Sequence, residues 1–540
     1  MRRPAFDAHT DPPVLISFLT TLLAAIAPGA IGMPIAAPVP AIHYTIAMPD
    51  PATHLFDVTL DVGNVRDSVV RVQMPVWSPG RYARMDFAKN VQDFSVRDSA
   101  GRAVRWDREN GSLWRIYPAG ANRVVIHYRV YGDNLSGTFS IFDSTHANWN
   151  GASVFMYVVH HKPDAVTLHV QPPSGWHIIN GDTRTPDQAD YAFENYDRLI
   201  DTPTEVAPAF SVDSFNVDGR LYRVVLHNDG PIDPAARQRF VDAVRRIVVS
   251  HNRVVAPPPL QMYTFLFHAG FPGSDGMEHL YSTQIEVRRP FADSAGYAGL
   301  LDDAAHEYFH TWNVKRVRPF ALGPFDYTTE QYEPSLWVAE GWTQYYGMMA
   351  GSRAQLTDRA AFNETMGGLV QANLTAPGRK EVSARMASFE APFFDGAATP
   401  QRTNSSQSFF TYYYKGGGLA LALDLMIRDR SNGTRSLDDA LRALKTLSWD
   451  QKNASYYLQG RGYTEADVEK AVSQAMGTDM HAWFERYVGG TEDLPFDDIL
   501  AHAGLRLDRS GARWVLAEIP DATGHQRTVR AGWLAGTTTR

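Results

Sequence analysis

From about residue 42 to residue 211, apolar and polar positions alternate in short runs such as HYTIAM, LFDVTLDV, VVRVQMPV and RVVIHYRVYG. Successive side chains of a strand point to opposite faces, so this two-residue rhythm predicts half-buried strands. The Gly, Pro, Asn and Asp clusters between the runs predict turns. The expectation is an antiparallel β-sandwich-like domain over residues 42–215. From Pro234 the rhythm lengthens. ARQRFVDAVRRIVVSHNRVV and residues 297–314, 417–430, 437–447, 465–476 and 480–488 read as helices, with apolar side chains recurring three and four apart. With QMYTFLFHAG as a strand among them, residues 216–495 are expected to form a mainly α domain, and the whole a multidomain α+β protein. Residues 496–540 offer one helix or strand and up to two short strands, too little for an independent core.

Charge and composition narrow the function. A net charge of −8 argues against nucleic acid as the main partner. The chain has no cysteine, so disulfides, thiolate ligands and thiol nucleophiles are excluded and any metal must be held by nitrogen and oxygen. Residues 1–41 read as a signal peptide: Arg2 and Arg3 precede the apolar stretch 14–31, and small residues with prolines lead to a cleavage point near 36–41. An uncleaved membrane anchor is the competing reading, and Pro28, Gly29 and Gly32 count against it by breaking the run. A periplasmic or secreted protein, not stably inserted in the membrane after cleavage, is expected.

The densest chemistry is HEYFH at 306–310. Residues four apart share one helix face, so His306 and His310 can converge on one metal ion, while Glu307 is turned aside toward a metal-bound water. Glu340, in the helix-like and aromatic-rich LWVAEGWTQYYGMMAG, is a credible third ligand, since a carboxylate in such surroundings needs a partner. Two more motifs bear on a reaction. GMEH at 276–279 opens a strand-like segment in which Gly276 and Met277 can pair with a peptide backbone while Glu278 holds a substrate ammonium. TYYYKG at 411–416 carries tyrosines, one of which can donate to an oxyanion. Lys315, Arg316 and Arg318 follow the motif helix, either as cations favoured at its C-terminus or as partners for acidic groups around the site.

In this order GMEH, HEYFH, WVAEG and YYYKG resemble the gluzincin zinc aminopeptidases. The flanking stretches narrow the likeness to the glycyl aminopeptidase family, whose members carry a C-terminal PDZ domain. They are HEYFHTWNVKRVRP (306–319), WVAEGWTQYY (337–346), YYYKGGGLALALDLMIRDRS (412–431) and MHAWFERYVGGTEDLP (480–495), with MPVWSPGRY (74–82) and NWNGASVF (148–155) in the β half. The resemblance implies a thermolysin-like catalytic domain over 216–495 and one Zn2+ per chain on His306, His310 and Glu340. It implies Glu307 as general base, Glu278 as the anchor for a free N-terminus, and Tyr413 as oxyanion donor, with Tyr412 or Tyr414 in its place if the local register differs. Substrates would be peptides with a small first residue, glycine or alanine. A PDZ domain would begin near Gly504, so residues 496–540 are expected to hold only a truncated PDZ-like remnant. A zinc endopeptidase of the same architecture and a non-catalytic secreted peptide-binding protein are the rival readings.

Overall fold

The structure is a computed structural model that describes residues 41–395, 404–453 and 455–538. All but the last residue of the expected signal segment lies outside them.

The alternating half folds into sheets. The largest has six strands, in the order Asp190–Phe193, Val166–Gln171, Ala41–Ala47, Leu55–Gly63, Arg123–Tyr131 and Val91–Asp98. Phe56, Val58, Leu60 and Val62 alternate into its core, with the intervening residues half-buried. One pairing departs from the antiparallel expectation: Ala41–Ala47 runs parallel to Val166–Gln171. These strands are far apart in sequence, so no hairpin constrains their direction. Two four-stranded sheets complete this half, one of them containing Ser140–Phe142, Ala147–Trp149 and Thr204–Ala207.

A five-stranded sheet begins the second half, in the order Ser211–Val217, Arg220–Asn228, Met262–Ala269, Ser282–Val287 and Ser274–Glu278. Ser211–Val217 straddles the expected boundary at 215/216, yet it pairs along its whole length with Arg220–Asn228, so this sheet starts at residue 211. Met262–Ala269 is parallel to both neighbours and buried on both faces, which is why it reads as an apolar run interrupted only by Thr264 and His268. The GMEH segment is an edge strand, joined to Ser282–Val287 by a turn.

Helices cover the rest. Ser294–Phe309 is capped by Asp293, whose carboxylate accepts from the Ala295 and Gly296 amides. It stops short of the expected residue 314 because His310 Nδ1 donates to the Asn313 carbonyl at 2.6 Å, turning the chain away from the helix axis. Tyr412–Arg430 starts earlier than expected, through its glycines, because Gly416 lies against Gly341 and the Trp337 carbonyl, where a side chain would collide. Residues 496–538 form Phe496–Ala501, the hairpin Leu505–Asp508 with Val515–Glu518, and Gly524–Ala535. Phe496, Leu500, Leu516, Val529 and Trp533 enter the core of the helical domain, and Trp533 Nε1 donates to the Tyr345 hydroxyl at 2.8 Å. The segment thus needs no core of its own. Among the described residues, no helix is long and apolar enough to cross a membrane.

Candidate active site

The motif helix Ser294–Phe309 lies under the five-stranded sheet and delivers His306 and Glu307, with His310 at its C-cap. Glu340 stands at the junction of Leu336–Ala339 and Gly341–Arg353. Gly347 lies against the backbone of His306 where these helices meet, with room for a Cβ at 3.4 Å. His306 Nε2 and His310 Nε2 are 3.1 Å apart, and Glu340 Oε2 is 3.4 Å from the first and 3.3 Å from the second. Tetrahedral bonds of about 2.0–2.1 Å, the zinc–nitrogen and zinc–oxygen range, require donors roughly 3.3 Å apart. The three donors fit such an ion.

The residues around these donors orient them. With its Nδ1 proton on the Asn313 carbonyl, His310 leaves the Nε2 lone pair facing Glu340. Asn313 also donates to the carbonyls of Val338 and Ala339, at 2.8 and 3.2 Å, which ties the histidine segment to the one that carries Glu340. The other oxygen of Glu340 accepts from the Tyr82 hydroxyl. Burial works against ionisation of Glu340, but the imidazoles of His310 and His306 outweigh it and hold the carboxyl below its ordinary range.

Glu307 is buried beside these donors, and its Oε2 has no hydrogen-bond partner among the described residues. Burial, and then the charges of Glu278, Glu340 and Asp303, push its carboxyl well above the usual carboxylate range, with His310 opposing. Gly276 passes directly over it: a Cβ there would strike Glu307 Oε1, so the first residue of GMEH is glycine for reasons of space. Glu278 is 4% exposed, its Oε1 is unpaired, and its carboxylate comes within 4.8 Å of ligand atoms of Glu307 and His310. The Met277 side chain packs against Gly80 and Gly137.

The three tyrosines separate clearly. Tyr413 stacks on His306, with ring centroids 6.0 Å apart. Tyr412 donates to Asp395 Oδ2 at 2.7 Å, and Tyr414 is exposed. Of the basic cluster, Lys315 pairs with Asp201 at 2.9 Å, and Asp201 also holds His279 Nδ1 at 3.1 Å. Arg316 and Arg318 donate to backbone carbonyls instead.

Sequence reading assigned no chemistry to the β half, yet it supplies two groups here. Tyr82 supports Glu340, and Arg81 binds Asp275 and donates to the Gly276 carbonyl at 3.0 Å, fixing the edge strand. The segment MPVWSPGRY held both, but no spacing links them to residues so far along the chain. Arg81, Asp275, Asp395 and Tyr413 line a cleft of about 790 Å³.

Two imidazoles and a carboxylate converging in a buried site, with an unpaired carboxylate beside them, define a metal-dependent hydrolase that activates water. The family follows from two matches. Residues 43–208 match the peptidase M61 N-terminal domain and residues 300–419 the M61 glycyl aminopeptidase, together more than half of the chain. The chain belongs to the M61 glycyl aminopeptidase family, and the protein is a peptide-hydrolysing enzyme of the aminopeptidase class. Among solved structures, an aminopeptidase N family protein from Idiomarina loihiensis is similar at 25% identity, with a TM-score of 0.78, over 86% of this chain and 79% of that one. An M1 zinc metallopeptidase from Deinococcus radiodurans aligns with a TM-score of 0.47 and 14% identity, over 85% of this chain and 95% of that one, a likeness too loose to bear on the site. No curated protein matches the chain.

Proposed function

We propose that the protein is a zinc-dependent aminopeptidase that removes a small first residue, glycine or alanine, from peptides. His306, His310 and Glu340 would hold one zinc ion, in a second domain of thermolysin-like build. When bound, zinc supplies Lewis acidity, polarising a carbonyl and bringing the pKa of water to about 7. Glu307, held above the usual carboxylate range by burial, is suited to take the proton of the attacking water and pass it to the leaving amine. Tyr413, whose ring stacks on His306, would donate its hydroxyl to the developing oxyanion. Arg81 steadies the edge strand along which the peptide backbone lies.

The observation that carries the reading is Glu278, a buried carboxylate with an unpaired oxygen next to the reaction centre. An uncompensated buried carboxylate is costly, and a substrate ammonium compensates it. The partly open cavity that Glu278 lines with Trp77, Gly80, Tyr82 and Leu458 is only about 30 Å³. So small a space supports a preference for a hydrogen or a methyl on the first residue. The N-terminal run 14–31 supports export. A matched pair of glycyl peptides with free and acetylated N-termini provides the test. Cleavage confined to the free peptide is expected, and equal cleavage of both would point to an endopeptidase.

A further inference from the structure

A second cluster of imidazoles lies where the β half meets the five-stranded sheet. His227 and His268 are register partners on the parallel strands Arg220–Asn228 and Met262–Ala269, so both stand on one face of that sheet. Glu205, on Thr204–Ala207, is the register partner of Asn148, and His146 immediately precedes the strand that carries Asn148. All four groups are buried, His146 completely. Glu205 Oε1 accepts from His227 Nδ1 at 2.7 Å, and Oε2 accepts from His268 Nε2 at 2.9 Å and Asn148 Nδ2 at 3.1 Å.

Hydrogen bonding does not complete this cluster. The Thr145 hydroxyl donates to Asp143 Oδ1 at 2.5 Å and therefore accepts from His146 Nδ1 at 2.8 Å, which leaves the lone pair of His146 on Nε2. That Nε2 is buried and has no partner among the described residues. An unpaired buried acceptor is costly, so a protein that keeps one usually offers it a partner. His146, Glu205 and His227 each present one ligand atom, all within 4.8 Å of one another.

We propose that His146, Glu205 and His227 form a second metal site, binding one divalent cation of the zinc class between the β half and the catalytic sheet. Two imidazoles and one carboxylate suit zinc and its neighbours, whereas calcium and magnesium favour oxygen alone. The cation takes the place of the proton between His227 Nδ1 and Glu205 Oε1, and the bound imidazole is the neutral tautomer with its single proton on Nε2, any excess proton leaving to solvent. Outer contacts are already built: Thr145 fixes the His146 ring, while His268 and Asn148 hold the second oxygen of Glu205. Tetrahedral coordination needs donors roughly 3.3 Å apart, so binding draws together three groups that already lie within 4.8 Å of one another. The cluster lies just behind the wall of the cleft that Arg81 and Tyr413 line, where Phe271 packs on the rings of His146 and His227. Bound there, it clamps the β half to the sheet at the wall of that cleft.

The test is metal stoichiometry on the full chain, stripped with chelator, reloaded with Zn2+ and desalted. The wild type is expected to retain about two ions, and the variant His306→Ala/Glu340→Gln about one. His146→Ala/His227→Ala, in the otherwise native chain, is expected to retain about one. Co2+ loaded into His306→Ala/Glu340→Gln should give the visible bands of a tetrahedral site, absent once His146→Ala/His227→Ala is added. If His306→Ala/Glu340→Gln holds no ion, the second site is overturned, whatever the wild type holds. If it holds one and still holds it when His310→Ala is added, which also removes the group of His310 with Glu278 and Glu307, the second site stands even should the first fail to load; loss of the ion on that addition overturns it, so the two readings fail separately. That variant leaves the cluster untouched, so the decision does not depend on whether His146→Ala/His227→Ala folds.

Discussion

His306, His310 and Glu340 come from one helix and the segment packed beside it, whereas His146, Glu205 and His227 are gathered from strands and strand ends of two different sheets. The charge around the two sets differs as much as their origin. Glu340 shares its surroundings with Glu307, Glu278 and Asp303, and their mutual repulsion helps push Glu307 well above the usual carboxylate range, after burial itself. Glu205 lies among three imidazoles, with Asp143 on the far side of His146: burial works against its charge, but His268 and His146 hold it well below that range. An excess of buried carboxylates calls for cations from outside, which a metal ion and a substrate ammonium supply. A single carboxylate among imidazoles is nearly satisfied already, and one cation completes it. The first arrangement suits turnover and the second suits holding two parts of the chain together.

The comparison breaks most sharply at the donors themselves. His310→Ala is expected to abolish peptidase activity and lower zinc content by about one ion per chain, measured by elemental analysis, while the cluster at Glu205 keeps its own ion. Retention of full activity would remove His310 from the reaction. Next in size, Glu307→Gln should reduce kcat by roughly 10²–10⁴-fold with zinc content unchanged, since it removes the proton acceptor and no ligand. A loss of zinc with activity would make Glu307 a ligand.

Smaller effects sharpen the contrast. Tyr82→Phe removes the hydroxyl that holds the outer oxygen of Glu340, and a 10–100-fold weaker zinc affinity is expected by competition with a chelator. Unchanged affinity would reduce Tyr82 to packing. The smallest effect concerns the carboxylate excess. Burial, then Asp302 and Asp275, raise the Asp303 carboxyl from 3.8 to about 7. Because the folded value lies above the unfolded one, stability present below about pH 4 is lost as pH rises to about 7. Asp303→Asn should therefore stabilise the protein by about 2 kcal/mol at pH 8, with partial exposure allowed for, and leave Tm unchanged near pH 4. An equal gain at both pH values would refute the charge explanation.

Local regularities carried the sequence reading. The i, i+4 spacing of His306 and His310 is a property of one helix, and the alternation of LFDVTLDV is a property of one strand, so both are legible without the rest of the chain. The tyrosine cluster was legible only as a group, because which ring stacks on His306 depends on where the helix Tyr412–Arg430 begins and what it packs against. Arg81 and Tyr82 reach the site from the β half, and residues 496–538 find their core on helices far earlier in sequence. The glycine of GMEH is explained only by Glu307 beneath it. The histidines at 146, 227 and 268 look like ordinary strand residues until two sheets bring them around Glu205. Sequence by itself determined the donors that lie on one element and the periods of helix and strand, because these are set by backbone geometry over a few residues. Tertiary structure alone decided which distant groups meet in a dry interior, because that depends on which apolar faces pack together.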